Sequence, residues 1–501
     1  FTLDEGYSRA VLHAFQRLYE KGLGYRGRYI VNWCPRCLTA LSDEEVDHVE
    51  TAGQLWYLKY PVKDTKLFVT VATTRPETML GDTAVAVNPK DRRYAKLVGK
   101  TAVLPLVRRE IPIVADEMVD PKFGTGAVKV TPAHDPNDFL TGQRHGLPEV
   151  VVMDEHGVMN DNAGDFRGLD RFEARQRVVA ALADAGYLEK TEPYTVPVGQ
   201  CHRCHTPIEP YLSWQWFVKM APLAAPAIEA ARKGQVKFYP ARYKKVYLNW
   251  LENIRDWCIS RQLWWGHRIP VWYRGDEMAV SVDRPAGEGW TQDEDVLDTW
   301  FSSWLWPFAI LGWPEETDDL KRYHPNSLMV TGADIIFFWV ARMVMAGLEF
   351  RGAVPFQHVY FTSILRDAQG RKMSKSLGNS PDPIEMMERY GADAVRFSLI
   401  YLTPTGQDLL FDEKRLETGK FFANKIWNAA RLVQMRLGDE DLSKLRESSL
   451  RLTLADRWIL SRYANAVKNV TRNLKTYRFN EAANALYQFA WAEYCDWYLE
   501  M

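Results

Sequence analysis

Two pairs of cysteines, Cys34 with Cys37 and Cys201 with Cys204, constrain this chain more than any other feature. Each pair encloses two residues. Thiolates at that spacing bind one ion from a tight knuckle, and two such pairs complete a tetrahedral zinc site. Four thiolates leave no open position, so the expected role is structural. The competing reading is disulfides in a long secreted chain, and the rest of the composition argues against it. If one metal gathers both pairs, the chain between them starts and ends at one place. That makes the stretch an insertion, a domain let into a host through a neck that the metal pins. Cys258 and Cys495 read as ordinary buried thiols.

The texture along the chain agrees. Residues 4–24 have helical periodicity, with Gly22 and Gly24 ending the helix. Residues 29–33 read as a strand leading into the first cysteine pair. From about 48 to 195 the pattern is short strands with turns, at 55–60, 67–72, 83–87, 102–106, 111–114 and 127–130, and one helix at 171–185. The host resumes at about 205 and alternates helix and strand. Helices are predicted at 254–264 and 334–347, and strands at 327–331 and 357–362. That alternation argues a doubly wound parallel sheet, an α/β fold. An amphipathic helical segment follows at 383–401, entered through Asp382 and Pro383. From about 410 everything is helical, at 413–436, 453–474 and 480–500.

Between the strand at 357–362 and the helical segment lies a glycine-bounded loop, Gly370-Arg371-Lys372-Met373-Ser374-Lys375-Ser376-Leu377-Gly378-Asn379. Lysine is a compact cation on a flexible stem, suited to following charge that moves during a reaction. Such a loop can hold a triphosphate and stabilise its departing pyrophosphate. Alternatively, it is a solvated basic turn.

The 501 residues imply two to four domains. No run of 18 apolar residues exists, so no membrane partner is expected. The formal net charge is -1, which does not by itself suggest nucleic acid. Residues 420–478 are different, with 13 Lys and Arg against 5 Asp and Glu. Asn424, Trp427 and Asn428 add hydrogen-bonding and stacking groups to this basic helical span. That combination suits an RNA backbone and unstacked bases, and a charged solvated face is the alternative.

Lys372 to Ser376 match, letter for letter, the second signature loop of class I aminoacyl-tRNA synthetases. The insertion carries Ala72-Thr73-Thr74-Arg75-Pro76-Glu77-Thr78 and the run from Gly124 to Phe139, which resemble the editing domain of the valine, isoleucine and leucine branch. Asp298-Thr299-Trp300-Phe301-Ser302-Ser303 and Asn32-Trp33-Cys34-Pro35-Arg36-Cys37 resemble its valine side. The chain is therefore identified as a member of this branch over essentially all its length. The other class signature, His-x-Gly-His, is absent, and the chain opens mid-pattern at Phe1 and stops in a helical pattern at Met501. A piece cut from a longer protein is expected.

The resemblance implies a Rossmann-like catalytic domain at 1–47 and 196–409, an inserted editing domain at 48–195, and an all-α anticodon-binding bundle at 410–501. It implies adenylate formation from valine and ATP with Mg, then transfer of valine to its tRNA. A cytoplasmic monomer with a structural zinc is expected. Lys372 and Lys375 would stabilise the pyrophosphate, and Lys375, Ser374, Ser376 and Met373 would contact ATP. Asp334 would pair with the valine ammonium, and Trp300, Ile335 and Trp339 would wall the side-chain pocket. A hydrophobic pocket rejects an added hydroxyl only about 10²-fold, the magnitude known for the valine enzyme itself, so threonine calls for a second site. There Asp138 and Asp135 would grip the ammonium and the threonine hydroxyl. Lys129, Thr131, Thr73 and Arg75 would bind the terminal adenosine or position the attacking water. A second reading is a fragment that acts only as a tRNA-binding and editing hydrolase.

Overall fold

The computed structural model describes residues 1–374, 377–438 and 451–501. They form two units, Phe1–Ala225 with Ile254–Arg322, and Pro226–Asn253 with Tyr323–Met501.

In the first unit the helix Glu5–Glu20 buries Tyr7, Val11, Phe15 and Leu18 along one face. Phe15 meets Trp216 edge-on at 5.3 Å, and the Tyr7 hydroxyl donates to the Ser302 carbonyl at 2.8 Å. Trp216 belongs to an antiparallel sheet in the order Trp257–Cys258, Glu209–Val218, Gly24–Cys34, Thr39–Leu41. The residues at 254–264, expected to be helical, instead form the short strands Trp257–Cys258 and Ser260–Arg261. Trp257 to Arg261 are all buried, which leaves no polar face for a helix. Pairing of Cys258 with Phe217 and of Ser260 with Leu297 satisfies the backbone on both flanks.

Val46–Pro61 and Leu188–Cys201 form a long antiparallel ribbon, from Val46 opposite Cys201 to Leu58 opposite Leu188. At its far end Val46–Pro61 also pairs with Phe68–Thr73. A second sheet runs Thr101–Val103, Glu110–Ala115, Ala84–Val87, Ala127–Val130. Leu58, Tyr60, Val71, Met79, Leu80 and Val85 are fully buried in the core it shares with the helix Arg171–Asp184.

The neck is not the insertion's sole attachment. Ala133 and Phe139 pack with Leu212 and Ile30 of the host sheet. Arg28 pairs with Glu149 at 2.9 Å, and Trp33 Nε1 donates to the Glu155 carbonyl at 2.7 Å. Apolar side chains on facing surfaces cover one another here, a gain that spacing arguments about the neck do not contain.

In the second unit three parallel strands lie in the order Lys237–Tyr239, Phe356–Thr362, Asn326–Gly332. The helix Ala341–Arg351 is the crossover between the last two, as the helix–strand alternation predicts. The amphipathic segment is two helices, Pro383–Tyr390 and Ala392–Leu402, broken at Gly391 with φ +95°. Further along, the described residues hold the helices Glu417–Leu437, Leu454–Lys475 and Phe479–Tyr487, the last running on as a π-helix, Gln488–Tyr498. No helix among the described residues is long and apolar enough to cross a membrane.

Candidate functional site

Both cysteine knuckles close in one way. The Leu38 N–H donates to the Cys34 carbonyl and the His205 N–H to the Cys201 carbonyl, each at 2.8 Å. Leu38 and His205 take the left-handed conformation, with φ +53° and +58°. The ribbon's base sets Cys201 opposite Val46, and one ligand atom from each of the four cysteines lies within 4.8 Å of the others. An ion held at about 2.3 Å from each of four tetrahedral sulfurs separates them by about 3.8 Å. The donor set therefore fits a metal ion. Burial pushes the Cys34 and Cys37 thiols up. It also pushes Cys204 up, but hydrogen bonds, those from Thr206 foremost, outweigh burial and bring Cys204 down to about 6.

A second polar cluster sits inside the insertion. Lys129, on Ala127–Val130, donates to the Thr78 hydroxyl at 2.9 Å and the Thr131 hydroxyl at 2.6 Å, with Asp82 Oδ1 at 3.4 Å. The Thr131 hydroxyl donates to Asp82 Oδ1 at 2.6 Å, and the Tyr60 hydroxyl to Asp82 Oδ2 at 2.7 Å. Asp138 Oδ2 accepts from the Thr131 N–H at 2.8 Å. Asp135 caps the helix Pro136–His145, its Oδ1 accepting from the Asn137 and Asp138 N–H groups. Burial, then the charge of Asp135, raises the Asp138 carboxyl from 3.8 to about 7. Burial, then Arg75 and Lys129, lowers His134 to about 3, and its Nε2 accepts from the Val152 N–H at 2.9 Å. His134 is thus a neutral structural acceptor.

The structure brings Asp138, Lys129 and Thr131 into one bonded network and sets Asp135 on its rim. Thr73 and Arg75 lie beside it, where the Thr73 hydroxyl accepts from the Arg75 N–H at 3.0 Å. The Arg75 guanidinium bonds Glu209, Glu77 and the His134 carbonyl. Glu209 also pairs with Arg171 at 2.9 Å, and Glu77 with Arg175 at 2.8 Å. Asp82, Tyr60, Glu77 and Glu209 were not singled out from the sequence. Asp82 alone has a local sign, a carboxylate between Gly81 and Thr83 directly before a strand.

In the second unit Lys372 Nζ lies 2.5 Å from Asp334 Oδ2. Asp334 follows the Asn326–Gly332 strand, and a Cβ on Gly332 would lie 2.5 Å from its Oδ1. Ile335 and Trp339 are half-buried, the latter within a π-helical turn, Ile336–Val340. Such turns recur at functional sites. Trp300 belongs to the first unit, on the short helix Thr299–Ser303.

Asp367 and Asn379 shape the lysine loop. Asp367 accepts from the Gln369 and Arg371 N–H groups, the Arg371 side chain and Asn379 Nδ2. Asn379 Oδ1 accepts from the Ser374 N–H, and the Met373 N–H bonds the Leu365 carbonyl. Lys375 and Ser376 lie outside the described residues.

The family described as tRNA synthetases class I (I, L, M and V) matches residues 1–289 and 280–412, and the anticodon-binding domain of tRNA ligase matches 456–501. The chain is 58% identical over 508 residues to the Valine--tRNA ligase of Thermotoga maritima. It is 58% identical over 509 residues to that of Carboxydothermus hydrogenoformans. Each comparison covers 100% of this chain and 58% of the relative, so the chain spans well under two thirds of their length. A LeuRS of Agrobacterium radiobacter K84, solved as a ternary complex with tRNA and LeuAMS, has a TM-score of 0.51 at 19% identity. That alignment covers 97% of this chain and 69% of the other, a likeness of fold alone. With a family match that runs through both units and the lysine loop, the chain belongs to the class I tRNA synthetases of the isoleucine, leucine, methionine and valine group.

Proposed function

We propose that this chain is the part of a valine–tRNA ligase that carries the lysine loop, a hydrolytic editing pocket and the start of the tRNA-binding bundle. The 58% identity to Valine--tRNA ligases along the entire chain carries the reading. The whole protein would make valyl-adenylate from valine and ATP with Mg, then pass valine to its tRNA. Residues 1–47 and 196–409 would serve synthesis, 48–195 editing and 410–501 the tRNA. Lys372 and Lys375 would stabilise the departing pyrophosphate, with Met373, Ser374 and Ser376 beside the ATP. For valine the residues are Trp300, Ile335 and Trp339 for the side chain and Asp334 for the ammonium. Lys372 already supplies Asp334 with a cation, the charge a substrate ammonium would bring. In the full-length protein, ATP–pyrophosphate exchange should be driven by valine. Faster exchange with isoleucine or leucine would overturn the assignment.

The cysteine cluster would hold a structural zinc through Cys34, Cys37, Cys201 and Cys204. Metal analysis of freshly purified protein should give one zinc per chain, and Cys201→Ser should lower it to a small fraction. A metal content unchanged in that variant would remove the cluster from zinc binding.

In the editing pocket, ionised Asp138 would orient the ammonium or hydroxyl of threonyl-tRNA, with Asp135, Lys129, Thr131, Thr73 and Arg75 around the terminal adenosine and the water. This gives a pH dependence. Asp138 is raised to about 7, so threonyl-tRNA hydrolysis should climb through that value, measured above the background left in Asp138→Asn. Asp135→Asn keeps the helix cap but removes the neighbouring charge, and should move the midpoint down. The contribution of Asp138 to stability has the opposite sign. The folded state holds a proton that the unfolded chain releases above 3.8, so stability falls as pH rises toward 7. A midpoint that does not move in Asp135→Asn would contradict the assignment.

A further inference from the structure

Three charged side chains are buried together away from the editing pocket: Glu45, 5% exposed, Arg261, 2%, and Asp298, 1%. Arg261 Nη2 donates to Glu45 Oε2 at 2.8 Å and to Asp298 Oδ2 at 2.6 Å. Its Nη1 donates to the Cys258 and Ser260 carbonyls, each at 2.9 Å. Burying such a triad stabilises a fold no better than apolar side chains of similar volume. What it supplies is fixed geometry.

At one end Asp298 Oδ1 accepts from the Trp300 N–H at 2.9 Å, and Oδ2 from Trp257 Nε1 at 3.0 Å. The Asp298 N–H bonds the Ile259 carbonyl at 2.8 Å. Asp298 thereby sets where the Thr299–Ser303 helix begins and how Trp300 leaves it. At the other end Glu45 Oε2 accepts from the Ser42 N–H at 2.8 Å, and the Glu45 carbonyl accepts from the His202 N–H at 3.1 Å. His202 lies inside the second cysteine knuckle, and Val46 opens the ribbon.

We propose that Arg261 is a positioning residue for amino-acid recognition: by clamping Asp298 to Glu45 it fixes the Trp300 ring and ties its place to the base of the inserted ribbon. This rests on the reading that Trp300 walls the valine side chain. Lysine cannot replace the arginine here, because one ammonium does not reproduce the fork that reaches both carboxylates and two carbonyls.

The test uses the full-length enzyme and reads ATP–pyrophosphate exchange, threonyl-tRNA hydrolysis and thermal unfolding. Arg261→Lys should raise the KM for valine about ten-fold, since small misplacements of a positioning group cost at least that much. The KM for ATP and threonyl-tRNA hydrolysis should hold. Glu45→Gln keeps the shape and should shift the valine KM the same way by less. The double variant should be no worse than Arg261→Lys, because both act through one clamp. If Arg261→Lys does not fold, Glu45→Gln decides. An unchanged valine KM, with activity that merely follows the folded fraction, would overturn the proposal. Additive effects in the double variant would break the link to the ribbon. Trp300→Ala separates the two levels. If it leaves the valine KM unchanged, the pocket reading fails and takes the proposal with it. If it raises the KM while both clamp variants do not, only the positioning role fails.

Discussion

Asp138→Ala should lower threonyl-tRNA hydrolysis about 10²-fold or more, the scale of one preorganised electrostatic group, while valine activation stays intact. Asp138 Oδ2 holds the Thr131 N–H, and the Thr131 hydroxyl belongs to the chain that joins Lys129 to Asp82. Alanine removes the acceptor that fixes this strand end and, on the proposed editing role, the charge that would orient the substrate. The opposite substitution should do the reverse. Lys375→Ala should lower valine-dependent pyrophosphate exchange about 10²-fold and leave hydrolysis as it was. If the two activities rest on separate sites, the two variants together should show both losses and no more. The measurement is threonyl-tRNA hydrolysis beside valine activation for each variant. Loss of activation in Asp138→Ala, with hydrolysis surviving, would move these carboxylates out of any editing role.

Lys129→Met should destabilise the insertion by about 3–5 kcal/mol, the cost of removing one partner of a buried ion pair. Lys129 is 8% exposed and Asp82 is fully buried. Without the ammonium, Asp82 keeps only the hydroxyls of Tyr60 and Thr131 among the donors described above. Burial already holds the Asp82 carboxyl above its ordinary range with Lys129 in place. The variant will therefore take up a proton there, and its stability will be lowest at high pH. Adding Asp82→Asn should restore much of the stability, because no buried charge is then unpaired, but it should not restore hydrolysis. Urea unfolding at two pH values reads the first effect and deacylation the second. A loss below about 1 kcal/mol would show that Lys129 does not balance Asp82.

What was legible in the sequence is what has a short period or a fixed spacing. The cysteine pairs, the lysine loop, the helix–strand alternation and most strands of the insertion are of that kind. The ribbon starts at Val46, ahead of the strand that the pattern marks at 55–60, because residues 47–54 are exposed on both faces and carry no apolar alternation. The helix expected at 254–264 failed because a run buried on every side has no period at all. The ionic clusters were invisible for another reason. Asp82 finds Lys129, Arg75 finds Glu209, and Arg261 finds Glu45 across 47, 134 and 216 residues. No local pattern links a charge to a partner that far along the chain. Asp367 is the counterexample, since its partners lie within twelve residues and an Asp-x-x-Gly turn announces it.

The ribbon also has a mechanical side. The eight residues 47–54, all exposed, make a stretch about 26 Å long at about 3.3 Å per residue. Two strands without a packed face are a weak beam. Resting on the cysteine knuckles alone, such a beam would act as a lever, and a rotation of about 10° at the base would carry its tip about 5 Å. The Phe139 seat and the Arg75–Glu209–Arg171 cluster give it a second foothold. A beam supported at both ends is a strut, so the cluster around Asp138 keeps its station relative to the cysteine knuckles.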